Sequence, residues 1–325
     1  MRLSPEGLCA WLVGPDVVDA SGAVWSWHNP AHPGYVYPEA AGLVLGALAA
    51  EPGTHALRAR VADWLCAHAE GDGFGRDGAR YAFDTCVCLA GLLAHERAGG
   101  VLRDPGLPAR LGRAARAMLD RGVPVEGAVA APAGHWSVSY GCHLLKCAVA
   151  LLALDAREGD ARGRATVRGL LDALLPLARG GRFPVHGAST QSYLHAALYA
   201  LEGLMCLHAW GYDGLGPTLD EGAAWLTSAQ DASGGLRAWH DGARAWGPLR
   251  GDATAQAMRL WAWHDGARWS GEIARASGFL AGAQSARGGV RYEPEGADEN
   301  TWVTAFALQA RRWVDAGGGD ARWIL

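Results

Sequence analysis

Four carboxylates stand at comparable places in the chain: Glu39, Asp84, Asp252 and Glu299. Each follows an aromatic-bearing segment and opens a long apolar run. Histidines hold the same place in two further segments, His143 and His195, with His186 and His240 in the adjoining loops. Carboxylates and imidazoles are the side chains that move protons near neutral pH, and two carboxyls in unlike surroundings divide into an acid and a base. Around them stand Tyr35, Tyr37, Tyr81, Trp136, Tyr140, Gln191, Tyr193, Trp239, Trp246, Tyr292 and Asn300, which can stack on or hydrogen-bond to a polar ring. The set points to acid–base catalysis on a polar cyclic, carbohydrate-like substrate, by an epimerase, hydrolase or lyase.

Other chemistries fit less well. Cys86 and Cys88 are two apart on a predicted helix and face nearly opposite ways, so they cannot chelate together. His143 and Cys147 share a face and supply half a zinc site at most, and no C-x-x-C pair occurs. No metal or cofactor is expected. A nucleophile elbow G-x-S-x-G is absent, and Cys142 and His143, as sequence neighbours, do not face each other. The run Gly71-Asp72-Gly73-Phe74-Gly75 follows a helix and not a strand, so it reads as a turn and not a phosphate loop.

The elements that must position the chemistry form a repeat. Six segments share one order: glycine-rich turn, short extended piece with Tyr, Trp or Phe, small polar cluster, apolar helix. They begin at Pro33-Gly34, Gly73-Phe74, Gly134-His135, Gly180-Gly181, Gly234-Gly235 and Gly288-Gly289. Their helices, Ala40–Ala50, Cys86–His95, Leu144–Leu154, Ala196–Leu207, Ala255–Trp263 and Trp302–Trp313, are apolar nearly all round. The intervening stretches Thr54–Ala69, Leu107–Asp120, Thr166–Ala178, Thr218–Ala229 and Gly271–Ala283 are amphipathic, and Leu8–Val13 supplies a sixth. Buried helices inside a ring of half-exposed ones account for both patterns. The expected fold is all-α, an (α/α)6 toroid over residues 1–325 as one domain. Its inner helices start at one mouth, so the chemistry-bearing residues converge there on helix N-termini that favour polar or anionic ligands. Capping accounts for Asp84-Thr85, Ser189-Thr190, Asp252 and Asn300-Thr301 taken singly. It does not account for the aromatic and ionisable richness of all six starts together.

The glycine pairs in Gln230-Asp231-Ala232-Ser233-Gly234-Gly235 and Gln284-Ser285-Ala286-Arg287-Gly288-Gly289 resemble the Q-x-x-x-G-G repeat of terpenoid cyclases and protein prenyltransferase β subunits. Tyr81-Ala82-Phe83-Asp84-Thr85-Cys86-Val87-Cys88-Leu89-Ala90-Gly91-Leu92 is similar to the prenyltransferase helix carrying a histidine zinc ligand, with Asp84 in the histidine's place. Tyr140-Gly141-Cys142 echoes the D-G-C element, with Tyr140 in the aspartate's place. Those families form α/α toroids, which is what the resemblance implies for this chain. It also implies an alternative activity, cyclisation or prenyl transfer of an isoprenoid. Aromatic faces would then stabilise carbocations, and Glu299 (in Ala297-Asp298-Glu299-Asn300-Thr301, the nearest match to D-x-D-D-T) or Asp252 would move the proton. The polarity of the mouth favours the carbohydrate reading. A third alternative is a peptide-binding toroid without catalysis, in which no cavity group has a strongly shifted pKa.

Composition sets the remaining bounds. Half of the 325 residues are hydrophobic, ample for a large core. A net charge of -4, no Lys/Arg block and a single lysine, Lys146, argue against nucleic acid. No apolar run reaches the ~20 residues that span a bilayer. Met1-Arg2-Leu3-Ser4-Pro5-Glu6 lacks a signal pattern, and seven scattered cysteines fit reduced thiols better than a disulfide framework. The expectation is a cytoplasmic protein with a small-molecule substrate and no nucleic-acid or membrane partner.

Overall fold

A computed structural model describes residues 2–69, 71–128, 135–187 and 189–325; Gly134 of the third repeat and Ala188 of the fourth lie outside the described residues. The repeat helices become α2 (Pro38–Leu48), α4 (Ala82–Arg97), α6 (Ala148–Glu158), α8 (Leu194–Ala209), α10 (Gly251–Asp265) and α12 (Thr301–Ala316). The third starts as a 3₁₀ turn, Cys142–Cys147, before α6. Each contacts the next, and α12 contacts α2, which closes a ring of six. In α8 every residue from Leu194 to Leu207 is buried, the consequence of an apolar run that has no polar face to offer water.

The amphipathic stretches become α1 (Pro5–Leu12), α3 (His55–His68), α5 (Leu107–Asp120), α7 (Arg162–Leu174), α9 (Gly216–Ala229) and α11 (Ser270–Ala283). They pack outside the ring. In α5, Leu107, Leu111, Ala115, Met118 and Leu119 face inward. The architecture is therefore the expected (α/α)6 toroid. Among the described residues no helix is long and apolar enough to cross a membrane.

Two of the sequence signals have visible work. Gln230 donates from Nε2 to its own turn at the Gly234 carbonyl (3.0 Å) and to Glu272 at the start of α11 (3.1 Å). Gln284 does the same to Gly288 (3.1 Å) and to Ser4 (3.2 Å), while accepting from the Ser4 N–H at 3.1 Å. That last pair joins the outer ring's end to its beginning. The small polar residues at the helix starts pin the preceding segment. Thr85, Thr254 and Thr304 accept from the N–H of Phe74, Leu236 and Val290 at 3.0, 3.0 and 2.9 Å, and each donor directly follows a repeat glycine.

Short strands carry the chain into the inner helices at the mouth. Ala79–Tyr81 pairs with Gly75–Arg76 and Val125–Gly127, Leu236–His240 with Ser192–Tyr193 and Ala245–Arg250, and Glu299–Asn300 with Trp27–His28 and Val290–Arg291. At the opposite end the segment Ala321–Leu325 folds back under the ring, with Ile324 and Leu325 buried.

Candidate active site

Glu39 and Asp84 open adjacent inner helices, α2 and α4. Those helices touch backbone to backbone, because Gly42 and Gly91 face each other: a Cβ on Gly91 would stand 2.3 Å from the Gly42 carbonyl oxygen. The close approach, three residues beyond Glu39, draws the two carboxyls to one wall of an axial cavity of roughly 240 Å³. Tyr35, Tyr37, Arg76, Phe83, Trp136, His143, Tyr193, His195, Tyr292 and Trp302 complete most of its lining.

Arg76 comes from a hairpin. Asp77 and Gly78 have φ of 52° and 74°, the two left-handed positions of a type I′ turn, so Gly75–Arg76 doubles back on Ala79–Tyr81. The guanidinium lies 5.3 Å from the Tyr37 ring and 4.6 Å from that of Tyr81, with Nε 3.8 Å from Asp84 Oδ2. Tyr37 donates its hydroxyl to Glu39 Oε2. Asp84 Oδ2 and Arg76 Nε are buried without a hydrogen-bond partner. Burial and then the negative charge of Glu39 push the Asp84 carboxyl up to about 8, against the opposing pull of Arg76. Burial likewise holds the Tyr37 phenol well above its ordinary range. Near pH 7 the wall thus presents a proton-bearing carboxyl beside a second carboxyl that a neutral phenol supports, the division of labour that acid–base chemistry uses.

Across the cavity, His195 Nδ1 donates to Gln256 Oε1 at 2.7 Å. The orientation of Gln256 is fixed, because its Nε2 donates to the Glu202 carboxylate at 3.2 Å. That bond engages Nδ1 and leaves Nε2 as the ring nitrogen free to meet the cavity. His143 is fully buried, has no partner at either ring nitrogen, and packs against Trp136 at 5.1 Å and Phe83 at 5.5 Å. Burial, reinforced by His195, pushes its pKa down to about 3, so it is a neutral imidazole. Two buried, unpaired nitrogens cost about 1–3 kcal/mol each. His143→Leu is therefore expected to raise the unfolding midpoint. A destabilised variant in denaturant titration would argue that the ring is held by partners of its own.

The structure does not bring every expected residue to the cavity. Asp252 lies behind His195, with Oδ2 3.6 Å from Nδ1, held by Arg250 at 3.1 Å and the Ala253 N–H at 2.8 Å. Glu299 pairs with Arg287 at 3.0 Å and sits against Gly289 and Trp11 on the outer side of its strand. Asn300 caps α12 by accepting from Val303 at 3.1 Å. His240 accepts from the Gly242 N–H at 2.9 Å and packs on Trp225. Tyr140 is half-buried against the core and outside the cavity lining. His186, Gln191 and Trp239 line an adjoining pocket, Trp246 stacks on Trp239, and Tyr81 lines a groove on the other side. His143 and Cys147 face different spaces: Cys147 lines an apolar cavity at the far end with Cys86 and Leu325. Among the described residues no three His, Cys, Asp or Glu side chains cluster as a metal site.

Arg76, Phe83, His135, Ser137 and Trp302 belong to the cavity without having been expected there. A signal for Arg76 was available in Asp77-Gly78, the dipeptide that favours a two-residue hairpin.

The fold and the geometry of its mouth define an α/α toroid with an ionisable axial cavity. The chain matches no protein-family model and no curated protein. Among solved structures it is similar over almost its whole length to several toroids. One is an α-amylase from Clostridium perfringens, with a TM-score of 0.70 and 10% identity over 95% of this chain and 98% of that one. Another is an unsaturated glucuronyl hydrolase specific for heparin, with a TM-score of 0.67 and 14% identity over 98% and 97%. A type II terpene cyclase from Scytonema, in complex with geranylgeranyl dihydroxybenzoate, has a TM-score of 0.64 and 15% identity over 96% of each chain. At such identities the likeness is one of fold, and at that level the toroid resemblance read from the repeats holds.

Proposed function

We propose that the chain is an enzyme acting by general acid–base catalysis on a carbohydrate, as a hydrolase, lyase or epimerase, within the axial cavity. The observation that carries this reading is the Glu39–Asp84 wall. Asp84, protonated near pH 7, delivers a proton to the leaving or accepting oxygen of the sugar. Glu39, supported by Tyr37, takes a proton from water or from a ring carbon. Arg76 places positive charge beside the carboxyl that becomes anionic when Asp84 gives up its proton. His195 Nε2 faces a substrate as a hydrogen-bonding group, and Trp136, Tyr193, Tyr292 and Trp302 offer ring faces to the apolar side of a pyranose. Similar folds include a glycosidase, an α-amylase and a polysaccharide lyase, which supports the substrate class.

The isoprenoid reading has less support. Its expected acid motif is spent elsewhere: Asp298 accepts from Asn29 at 2.6 Å, and Glu299 faces Arg287. A non-catalytic peptide binder does not explain a proton-bearing Asp84 and an unpartnered His143 in one cavity. The seven cysteines are all free thiols, which supports a reducing compartment such as the cytoplasm.

The direct test is turnover of a glycoside and polysaccharide panel. Asp84→Asn and Glu39→Gln are each expected to lower kcat/KM by about 10²–10⁴-fold with the fold intact. Unchanged turnover in Asp84→Asn removes Asp84 from the mechanism.

A further inference from the structure

The axial cavity does not end at its own walls. On one side it opens into a groove of roughly 910 Å³, with which it shares Tyr35, Arg76, His135 and Ser137. On the other it opens into a pocket of roughly 430 Å³, sharing His135, Trp136 and Tyr193. The groove is built by the lead-ins to α2 and α4, by the end of α3 and by His135 and Ser137 of the lead-in to α6. The pocket is built by His135 and Trp136 of that same lead-in and by the lead-ins to α8 and α10. The two spaces therefore meet at His135 and spread from it in either direction along the mouth, each open to the cavity that holds Glu39 and Asp84.

Each flank carries an ordered aromatic platform with polar groups beside it. In the groove, Trp64 stacks on His68 with ring centroids 4.4 Å apart and planes 19° apart, and His68 is itself fixed by Nδ1 on the Trp64 carbonyl at 2.8 Å. In the pocket, Trp239 packs at 4.9 Å from Tyr193 and stacks with Trp246, next to His186 and Gln191. Half-exposed tryptophans cost free energy in water unless something covers their faces. A ligand that is apolar on its flat side and hydroxylated at its edge covers them and satisfies the polar neighbours.

We infer that the mouth is an open cleft for an oligosaccharide, which runs along the mouth past His135 with its reacting residue at Asp84 and its neighbours on the Trp64 and Trp239 platforms. This rests on the carbohydrate reading and adds to it: the substrate is a chain held on both sides of the reacting unit, and not a single sugar or a chain end in a blind pocket.

The test is binding to an array of length-graded neutral, amino and acidic oligosaccharides. The full chain carries Asp84→Asn to prevent turnover, and the hits are then titrated calorimetrically from monomer to hexamer. For the sugar that binds, affinity is expected to rise with length by about tenfold per platform filled. Trp64→Ala and Trp239→Ala should each remove one such gain. Affinity that is flat from monomer to hexamer overturns the cleft and leaves the carbohydrate reading standing. An array with no binding at any length overturns the carbohydrate reading and the cleft with it. The length series decides the question even if a tryptophan variant fails to fold.

Discussion

Plotted against pH, kcat/KM should fall on the alkaline side as Asp84 loses its proton, with a midpoint near 8, and two substitutions should move that limb in opposite directions. The negative charge of Glu39 raises the Asp84 pKa and Arg76 lowers it. Glu39→Gln removes the repulsion, so the limb should move toward acid. Arg76→Met removes the attraction, so the limb should move toward alkali. Each displacement is expected to be about one pH unit or more, the scale on which a charge within a few ångströms shifts a buried carboxyl. Residual activity is sufficient for the measurement, since the position of the limb matters and its height does not. Limbs that both move the same way, or stay in place, exclude Asp84 as the proton donor.

The same carboxyl leaves a thermodynamic signature that requires no substrate. Its folded pKa lies above the ordinary aspartate value of 3.8. The stability it contributes is then fully present below pH 4 and is lost as pH rises through the folded value near 8. Across that window stability falls by up to about 1.4 kcal/mol per pH unit on account of this group. Asp84→Asn cannot ionise, so it should flatten that decline and be the more stable protein at pH 8. A site whose removal strengthens the fold is one that the fold holds against its own stability, as expected of functional residues.

The toroid was legible because its instruction is local and repeated six times. Glycine turns, an aromatic strand and a Thr or Ser at the helix start sit within one short segment, and the hydroxyls of Thr85, Thr254 and Thr304 make the same bond in three copies. The site was legible only in part, because residues at equivalent repeat positions do not point the same way. Glu299 and Asn300 lie on a two-residue strand, where alternation turns one carboxylate outward to Arg287 while the next side chain caps α12. Asp252 is neutralised by Arg250, two residues earlier in the chain, whose guanidinium also lies 3.6 Å from the Tyr292 ring. Arg76 escaped notice because its glycine-rich run reads as a turn; the hairpin that aims it is completed by Val125–Gly127, a strand far along the chain. The pairing of Glu39 with Asp84 depends on Gly42 meeting Gly91 across two repeats, and no spacing within either repeat encodes it.

Beneath the cavity, Glu202 stands on the same face of α8 as His195, two turns further along the helix. It is fully buried and accepts from Lys146 at 2.8 Å, from Gln256 at 3.2 Å and from Arg259, which lies over Phe306 at 4.3 Å. Lys146 also donates to the Leu325 carbonyl, which ties the returning C-terminal segment to the ring. Burial pushes the Lys146 ammonium down to about 8 even with Glu202 beside it. Glu202→Ala leaves two buried cations facing each other, and unfolding in denaturant should show a loss of about 3–5 kcal/mol. Replacing all three charges, as in Glu202→Met with Lys146→Met and Arg259→Met, should return most of it, because an apolar cluster of similar volume has no uncompensated charge. That repaired variant separates structure from chemistry. Gln256 will have lost the carboxylate that fixes its amide, so His195 loses its enforced tautomer, and kcat/KM should stay low although the fold has recovered. A loss below about 1 kcal/mol in Glu202→Ala would falsify the network as the keystone of the lower ring. Full activity in the repaired variant would show that His195 is oriented by something other than Gln256.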